Sequence, residues 1–236
     1  MHIAKTFLLA ATALASVVAA TAPAMALPTI PSNSSFQIGG SLSAYTSSTF
    51  VNASGFDFGQ LNSDGTFTYG TAGGYAELGG TGSAFYRDLG GTNQGFVAGT
   101  AGTATDIAAG TFNGIGTDGT TSKVVNINNL YSFSKNGLTL SFDLGTITDV
   151  QRYVSIETSN QTVTVNGFGT VHLTGYEDAL ATYSLSATRT GTGITTTFSS
   201  SVTTAATDVP EPVSLAILGT GLVAMGVARR KFVNQA

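Results

Sequence analysis

The sequence predicts an all-β body, an antiparallel β-sandwich, barrel or jelly-roll-like domain, flanked by an N-terminal signal peptide and a C-terminal hydrophobic helix. Three observations predict the body. Apolar residues alternate with Thr and Ser over short stretches, as they do in half-buried strands. Glycine-rich turns separate these stretches in a chain that carries 30 glycines. Residues 27–208 show no helical periodicity of useful length, so one strand follows another without helices between them.

The clearest predicted hairpin joins residues 131–134 to residues 138–144. In both stretches large apolar residues alternate with polar ones. Asn136 and Gly137 lie between them, and both residue types tolerate the positive φ of a type I′ turn. The pattern therefore predicts two antiparallel neighbours at this point of the chain.

The same reasoning predicts hairpins at Asn166-Gly167 and at residues 191–193. Shorter strands are predicted around Phe36, Phe56 and Phe67, and residues 70–122 are the least regular part, with the composition of long loops. A parallel β-helix is a rival architecture, but no fixed repeat period supports it.

Residues 1–26 have the plan of a secretory signal peptide. His2 and Lys5 form a short polar, basic start, and an apolar run of small residues follows. Ala24 and Ala26 are the small residues that a signal peptidase requires before its cleavage site. We therefore expect export, with the mature chain beginning at Leu27.

Residues 209–236 have three parts in a fixed order. Pro210, Glu211 and Pro212 come first, and the two prolines prevent a helix from continuing back into the body. Residues 213–228 carry no charge and as a helix would be about 24 Å long. The basic cluster Arg229, Arg230 and Lys231 follows. Basic residues remain on the cytoplasmic side of a membrane, which predicts a transmembrane segment with the body outside.

This C-terminal tail resembles the PEP-CTERM sorting domain of exported proteins in Gram-negative bacteria, often those with exopolysaccharide gene clusters. The resemblance covers about the last 28 residues and leaves the body at residues 27–208 unassigned. It implies that an exosortase recognises the tail, cuts near Pro210, Glu211 and Pro212, and releases or attaches the body. The expected location is an intermediate anchored in the inner membrane, and then the cell envelope or extracellular matrix.

The charge pattern excludes several classes of function. Charged residues make up 9% of the chain, and residues 27–208 contain five basic and twelve acidic ones. An acidic body repels nucleic acid and anionic lipid, so neither is an expected partner. There is no cysteine, which excludes disulfides and thiol catalysis, and a chain with two histidines lacks the ligands of a zinc site of usual composition.

No catalytic motif of the body has the context that its chemistry needs. Residues 114–119 fit a dinucleotide fingerprint by letter, but a predicted strand follows them instead of a helix. Residues 132–135 fit Ser-x-x-Lys on a predicted strand, where the two side chains point to opposite faces. Val171 and Leu173 flank His172, which is therefore predicted to be a solvent-facing strand residue and not a triad base.

Acidic residues could serve hydrolysis or calcium binding, but none stands out. Glu157, Glu177 and Asp178 are scattered candidates for the paired carboxylates of a glycoside hydrolase, and solvation of a turn explains the last two. Asp and Asn cluster with Gly in several turns, which is compatible with Ca²⁺, but no loop has EF-hand spacing. No cofactor and no catalytic residue is predicted.

These observations predict a non-enzymatic, exported protein of the cell surface or exopolysaccharide matrix. Its expected partners are signal peptidase and exosortase during processing, and exopolysaccharide afterwards. Two alternatives remain open, a secreted carbohydrate-binding module and a polysaccharide-acting hydrolase. Turnover of a glycan distinguishes the hydrolase, and saturable binding without turnover distinguishes the binding module.

Overall fold

The computed structural model describes residues 27–45, 49–79, 96–155, 160–190 and 196–205. The predicted signal peptide at residues 1–26 and the predicted sorting segment at residues 209–236 lie outside these ranges, as does the predicted turn at residues 191–193. Eleven strands are present: β1 Ser35–Ala44, β2 Phe56–Phe58, β3 Gln60–Leu61, β4 Phe67–Thr68, β5 Gly74–Gly79, β6 Ala101–Ala104, β7 Lys123–Lys135, β8 Leu138–Val154, β9 Gln161–Leu173, β10 Ala179–Arg189 and β11 Thr196–Thr204. The helical content of the described part is one 3-10 turn, Phe50–Asn52.

Eight of the strands form a closed ring. Strands β5 to β11 pair in chain order, β1 pairs with β5 on one side, and β1 pairs with β11 on the other. Every pairing between these strands is antiparallel. The all-β, antiparallel prediction is therefore confirmed, and the closed ring makes the body a barrel rather than two separate sheets. The antiparallel pairings exclude the parallel β-helix.

Two long hairpins differ in how well the sequence predicted them. Asn136 and Gly137 both have positive φ, 51° and 80°, and connect β7 to β8 as predicted. The predicted turn at Asn166-Gly167 is wrong, because both residues lie inside the continuous strand β9. Gly167 is opposite Ile147 of β8, where the two backbones approach too closely for a side chain.

Bulges bend the long strands so that the ring can close. The pairing of β7 with β8 shifts register twice, and Asn126 and Asn129 have positive φ in this region of β7. The pairing of β8 with β9 shifts between Leu144 and Thr146 and again between Ile147 and Asp149. An extra residue on one strand of a pair bends that strand and increases its local twist, which closure of a barrel requires.

Aromatic side chains fill the interior of the barrel. Phe58 contacts Phe198 with ring centroids 5.0 Å apart, and Phe142 stacks on Tyr183 at 5.4 Å. Tyr131 is fully buried, and its hydroxyl oxygen lies 3.3 Å from that of Tyr183. Burial raises the pKa of both phenols, so they are neutral groups of the core. The barrel is thus a packed core and its outer surface is where ligands can bind.

Candidate functional site

Tyr75 and Glu77 share the outer face of β5. Ala76 and Leu78 are fully buried, and their neighbours on an alternating strand point outward. The hydroxyl of Tyr75 donates a hydrogen bond of 2.7 Å to Oε2 of Glu77. That hydrogen bond, followed by partial burial and the negative charge of Glu77, raises the pKa of Tyr75 to about 12. The pair therefore presents a neutral phenol beside a carboxylate.

A groove lies on each side of Tyr75. The first, of about 330 Å³, runs over β1 and β5 between Gly39, Glu77 and Phe67. The second, of about 340 Å³, runs between β3, β5 and β6 and includes Leu61 and Thr103. Tyr75 lines both grooves, so they are neighbours on either side of this residue and are together called the Tyr75 groove.

Glycines keep the first groove open. A Cβ built on Gly39 would approach no atom closer than the carbonyl oxygen of Phe198, at 3.8 Å, and one on Gly79 would meet nothing within 4 Å. Neither residue has the positive φ that would require glycine. The missing side chains therefore leave space at the floor of the groove instead of relieving a backbone clash.

The hairpin of β3 and β4 forms the wall of the Tyr75 groove and is held at several points. The ring of Phe67 packs beside that of Tyr75 with centroids 6.4 Å apart and a tilt of 55°. The hydroxyl of Tyr69 is 2.6 Å from Oγ of Ser41 on β1. The N–H group of Tyr75 donates to the carbonyl oxygen of Gly59 at 2.9 Å. The wall is therefore tied to the barrel on both sides.

Two carboxylates, of which Asp57 is buried and Asp106 half-buried, also hold this region. Asp57 on β2 is 5% exposed, and its Oδ2 accepts the N–H of Gly70 at 2.6 Å. Its Oδ1 is buried without a hydrogen bond to any described residue. Asp106 accepts the N–H of Phe58 at 2.9 Å. Burial raises the pKa of both carboxyl groups, and the charge of Asp106 raises the pKa of Asp57 further. Both carboxylates accept hydrogen bonds from backbone N–H groups, which indicates that they stabilise the local structure.

A second surface feature, here called the hydroxyl face, extends over β9, β10 and β11. Its partly or fully exposed members are Thr162, Thr164, Thr182, Ser184, Ser186, Thr188, Thr197, Ser199, Ser201 and Thr203. They form rows across the strands, since Thr162 is opposite Thr188, and Thr188 is opposite Thr197. The stretches 35–44, 161–171, 181–188 and 196–204 contain no charged residue. Because Ser199 pairs with Gly39, the hydroxyl face continues directly into the Tyr75 groove.

His172 points outward from β9, as predicted. Its contacts with two carboxylates were not predicted. Its Nε2 is 3.2 Å from Oδ2 of Asp143 on β8, and its Nδ1 is 2.7 Å from Oδ1 of Asp178 in the connection to β10. Partial burial lowers the pKa of His172, but the hydrogen bond and charge of Asp178, then those of Asp143, outweigh it and raise the pKa. Both ring nitrogens lie within hydrogen-bonding distance of carboxylates, so the ring joins β8 to the β9–β10 connection as a clamp, and neither nitrogen is free to act as a base.

The other sequence-predicted candidates are placed as follows. Glu177 and Asp178 lie in the connection between β9 and β10, and Glu177 is exposed. Glu157 and the predicted sorting and cleavage residues all lie outside the described ranges: Ala24, Ala26, Pro210, Glu211, Pro212, Arg229, Arg230 and Lys231. Within the described ranges no three His, Asp or Glu side chains are grouped to hold a metal ion. The same part of the chain contains no helix with the length and hydropathy to cross a membrane.

The sequence contains a signal for the Tyr75 groove in the alternation of residues 75–78. Tyr75 and Glu77 alternate with Ala76 and Leu78, which is the pattern of a strand with one buried face. Gly39 lies 36 residues before Tyr75, and only the folded barrel brings it beside Tyr75, whereas Phe67 lies eight residues before Tyr75 in the chain.

Comparisons with protein families, with curated proteins and with solved structures found no match to this chain.

Proposed function

We propose that the protein is a non-enzymatic component of the Gram-negative cell surface or exopolysaccharide matrix, which associates with uncharged polysaccharide through the outside of its barrel. The hydroxyl face carries this proposal. It presents ten Ser and Thr side chains over neighbouring strands, in stretches that contain no charged residue. Such a surface offers donors and acceptors at many points, which matches a polymer that is itself covered with hydroxyl groups.

Charge favours an uncharged polymer over an acidic one. The body has seven more acidic than basic residues between positions 27 and 208, so a polyanion is repelled at long range. A neutral glycan experiences no such repulsion, and its hydroxyl groups can exchange hydrogen bonds with the face directly or through bridging water. The same negative charge supports solubility in a crowded matrix.

The route to the surface is the one that the two ends of the sequence predict. The signal peptide ending at Ala26 directs export, and the tail resembling PEP-CTERM is cut by an exosortase near Pro210, Glu211 and Pro212. Intact-mass analysis of membrane, envelope and medium fractions from the native host tests this route. A chain that starts at Leu27 and ends near Pro212 supports it. A chain that ends at Ala236 and stays in the inner membrane means that the tail is only an anchor.

The association itself is tested by sedimentation with insoluble polysaccharides. The full chain, in a detergent without a sugar headgroup, is mixed with cellulose and with curdlan, and the supernatant is assayed for protein and for released reducing sugar. We expect the protein in the pellet and no release of sugar. Release that one Asp or Glu substitution abolishes would support the hydrolase alternative instead. Protein that stays in every supernatant would contradict the proposed association.

A further inference from the structure

We infer that the Tyr75 groove binds a single chain of an uncharged glycan, which lies across the ring of Tyr75 with one sugar on each side. This inference rests on the proposed association with polysaccharide and names the site and the ligand class. Each half of the groove has a volume at the lower end of the range for small-molecule sites, about 300–1,000 Å³. That is room for roughly one or two sugar rings in each half.

The chemistry of the wall matches the two surfaces of a pyranose ring. A sugar ring has an apolar face of C–H groups and an edge of hydroxyl groups. Phe67 and Tyr75 meet at a tilt of 55° and form an apolar corner against which the C–H face can pack. Glu77 stands at the edge of the same groove and is exposed. Its carboxylate accepts the hydroxyl of Tyr75 and retains capacity for further donors such as sugar hydroxyls.

The site exists before the ligand arrives. The hydrogen bonds of Tyr69 to Ser41 and of Gly70 to Asp57 hold the β3–β4 hairpin against the barrel. The hydrogen bond of Tyr75 to Glu77 orients both side chains. A ligand therefore does not have to order the wall, and less binding free energy is lost on ordering the protein.

The geometry also selects against other ligands. A phosphate or uronate group would lie beside the carboxylate of Glu77 in a body with excess negative charge. A buried apolar ligand requires an enclosed cavity, whereas glycine at the floor and threonine at the rim leave this groove open to water. An extended, uncharged, hydroxylated chain avoids the repulsion by Glu77 and can lie in a groove that is open to water.

The test is calorimetric titration of the full chain with three uncharged hexasaccharides, from cellulose, laminarin and amylose, in a detergent without a sugar headgroup. We expect saturable binding of at least one of them. Gly39→Val should reduce its affinity at least tenfold, because the branched side chain occupies the floor of the groove. The open space above Gly39 means that this variant should fold normally. Glu77→Gln keeps the shape, removes the charge, and should reduce affinity by several fold.

Thr139→Val is the matched control, since it places the same side-chain type at an exposed position of β8, outside both the Tyr75 groove and the hydroxyl face. It should bind the hexasaccharide like the unmodified protein. Unchanged affinity in both Gly39→Val and Glu77→Gln overturns the inference, as does the absence of binding to all three hexasaccharides. If the protein still sediments with cellulose or curdlan in those cases, only this site is wrong. If it does not, the proposed function fails as well.

Discussion

Replacing Gly169 by alanine should destabilise the barrel far more than the same change at Gly145. Gly169 lies on β9 beside the bulged part of β8, and a Cβ there would fall directly onto the carbonyl oxygen of Asp143 and 2.9 Å from Cε2 of Phe142. Gly145 lies on the other side of the same ladder, where a Cβ would be 3.5 Å from the carbonyl oxygen of Phe168. The first contact requires backbone to move, and the second is ordinary packing.

The magnitude follows from what must move. Overpacking in a closed core costs about 1–3 kcal/mol. Separating β8 from β9 locally also weakens one or two ladder hydrogen bonds, each worth about 1 kcal/mol. We therefore expect Gly169→Ala to lower the free energy of unfolding by about 3 kcal/mol, which corresponds to about 6–12 °C in melting temperature for a domain of this size. Gly145→Ala should stay within about 0.5 kcal/mol of the unmodified protein.

Urea and thermal unfolding, followed by circular dichroism on the full chain in both variants, measure this difference. The comparison controls for the general gain from Gly→Ala in the unfolded chain, since that gain is shared. Equal stability of Gly169→Ala and Gly145→Ala would refute the close approach of β8 and β9. A loss in both variants would instead refute the ordinary contact at Gly145.

Three further predictions concern titratable groups. The raised pKa of His172 stabilises the fold below the unfolded value of about 6.5, and this contribution is lost as pH rises through the folded pKa. His172→Gln should therefore lower the free energy of unfolding by about 1 kcal/mol near pH 5.5 and by less near pH 9, as measured by urea unfolding. The raised pKa of Asp57 makes the protein lose stability as pH rises from about 4. Asp57→Asn should therefore reduce this pH dependence of the free energy of unfolding in the same assay, and an unchanged pH profile would contradict the prediction. Spectrophotometric titration should show Tyr75 ionising near pH 12, and the titration of Glu77→Gln should differ by one tyrosine that ionises at lower pH. Identical titrations would mean that Glu77 does not hold the phenol.

Local pattern was sufficient for most of the strands. Alternation predicted that β8, β10 and β11 are strands, because a half-buried strand requires a period of two wherever it is placed in the sheet. Asn136-Gly137 was sufficient for its turn, since positive φ at two consecutive residues is a local property.

The same dipeptide led to a wrong turn prediction at Asn166-Gly167. There Gly167 is present because the backbone of Thr146 on β8 approaches it, and the strand continues through. A glycine required by a neighbouring strand and a glycine required by a turn cannot be told apart in the sequence. The strands within residues 70–122 were difficult to predict for a related reason, because β5 and β6 are short and some of their partner strands lie elsewhere in the chain.

The sequence by itself determined an all-β body, the outward position of His172 and the excess of acidic residues. It also predicts the sorting signals at both ends. Only the tertiary structure decided that the sheet closes, because Ser35 meets Thr203 across nearly the whole length of the body. The Tyr75 groove and the clamp of Asp143, His172 and Asp178 are decided at the same level. Each combines side chains of neighbouring barrel strands with a side chain from outside the ring, Phe67 of the β3–β4 hairpin or Asp178 of the β9–β10 connection. Pairing register between distant strands is set by the packing of the whole core.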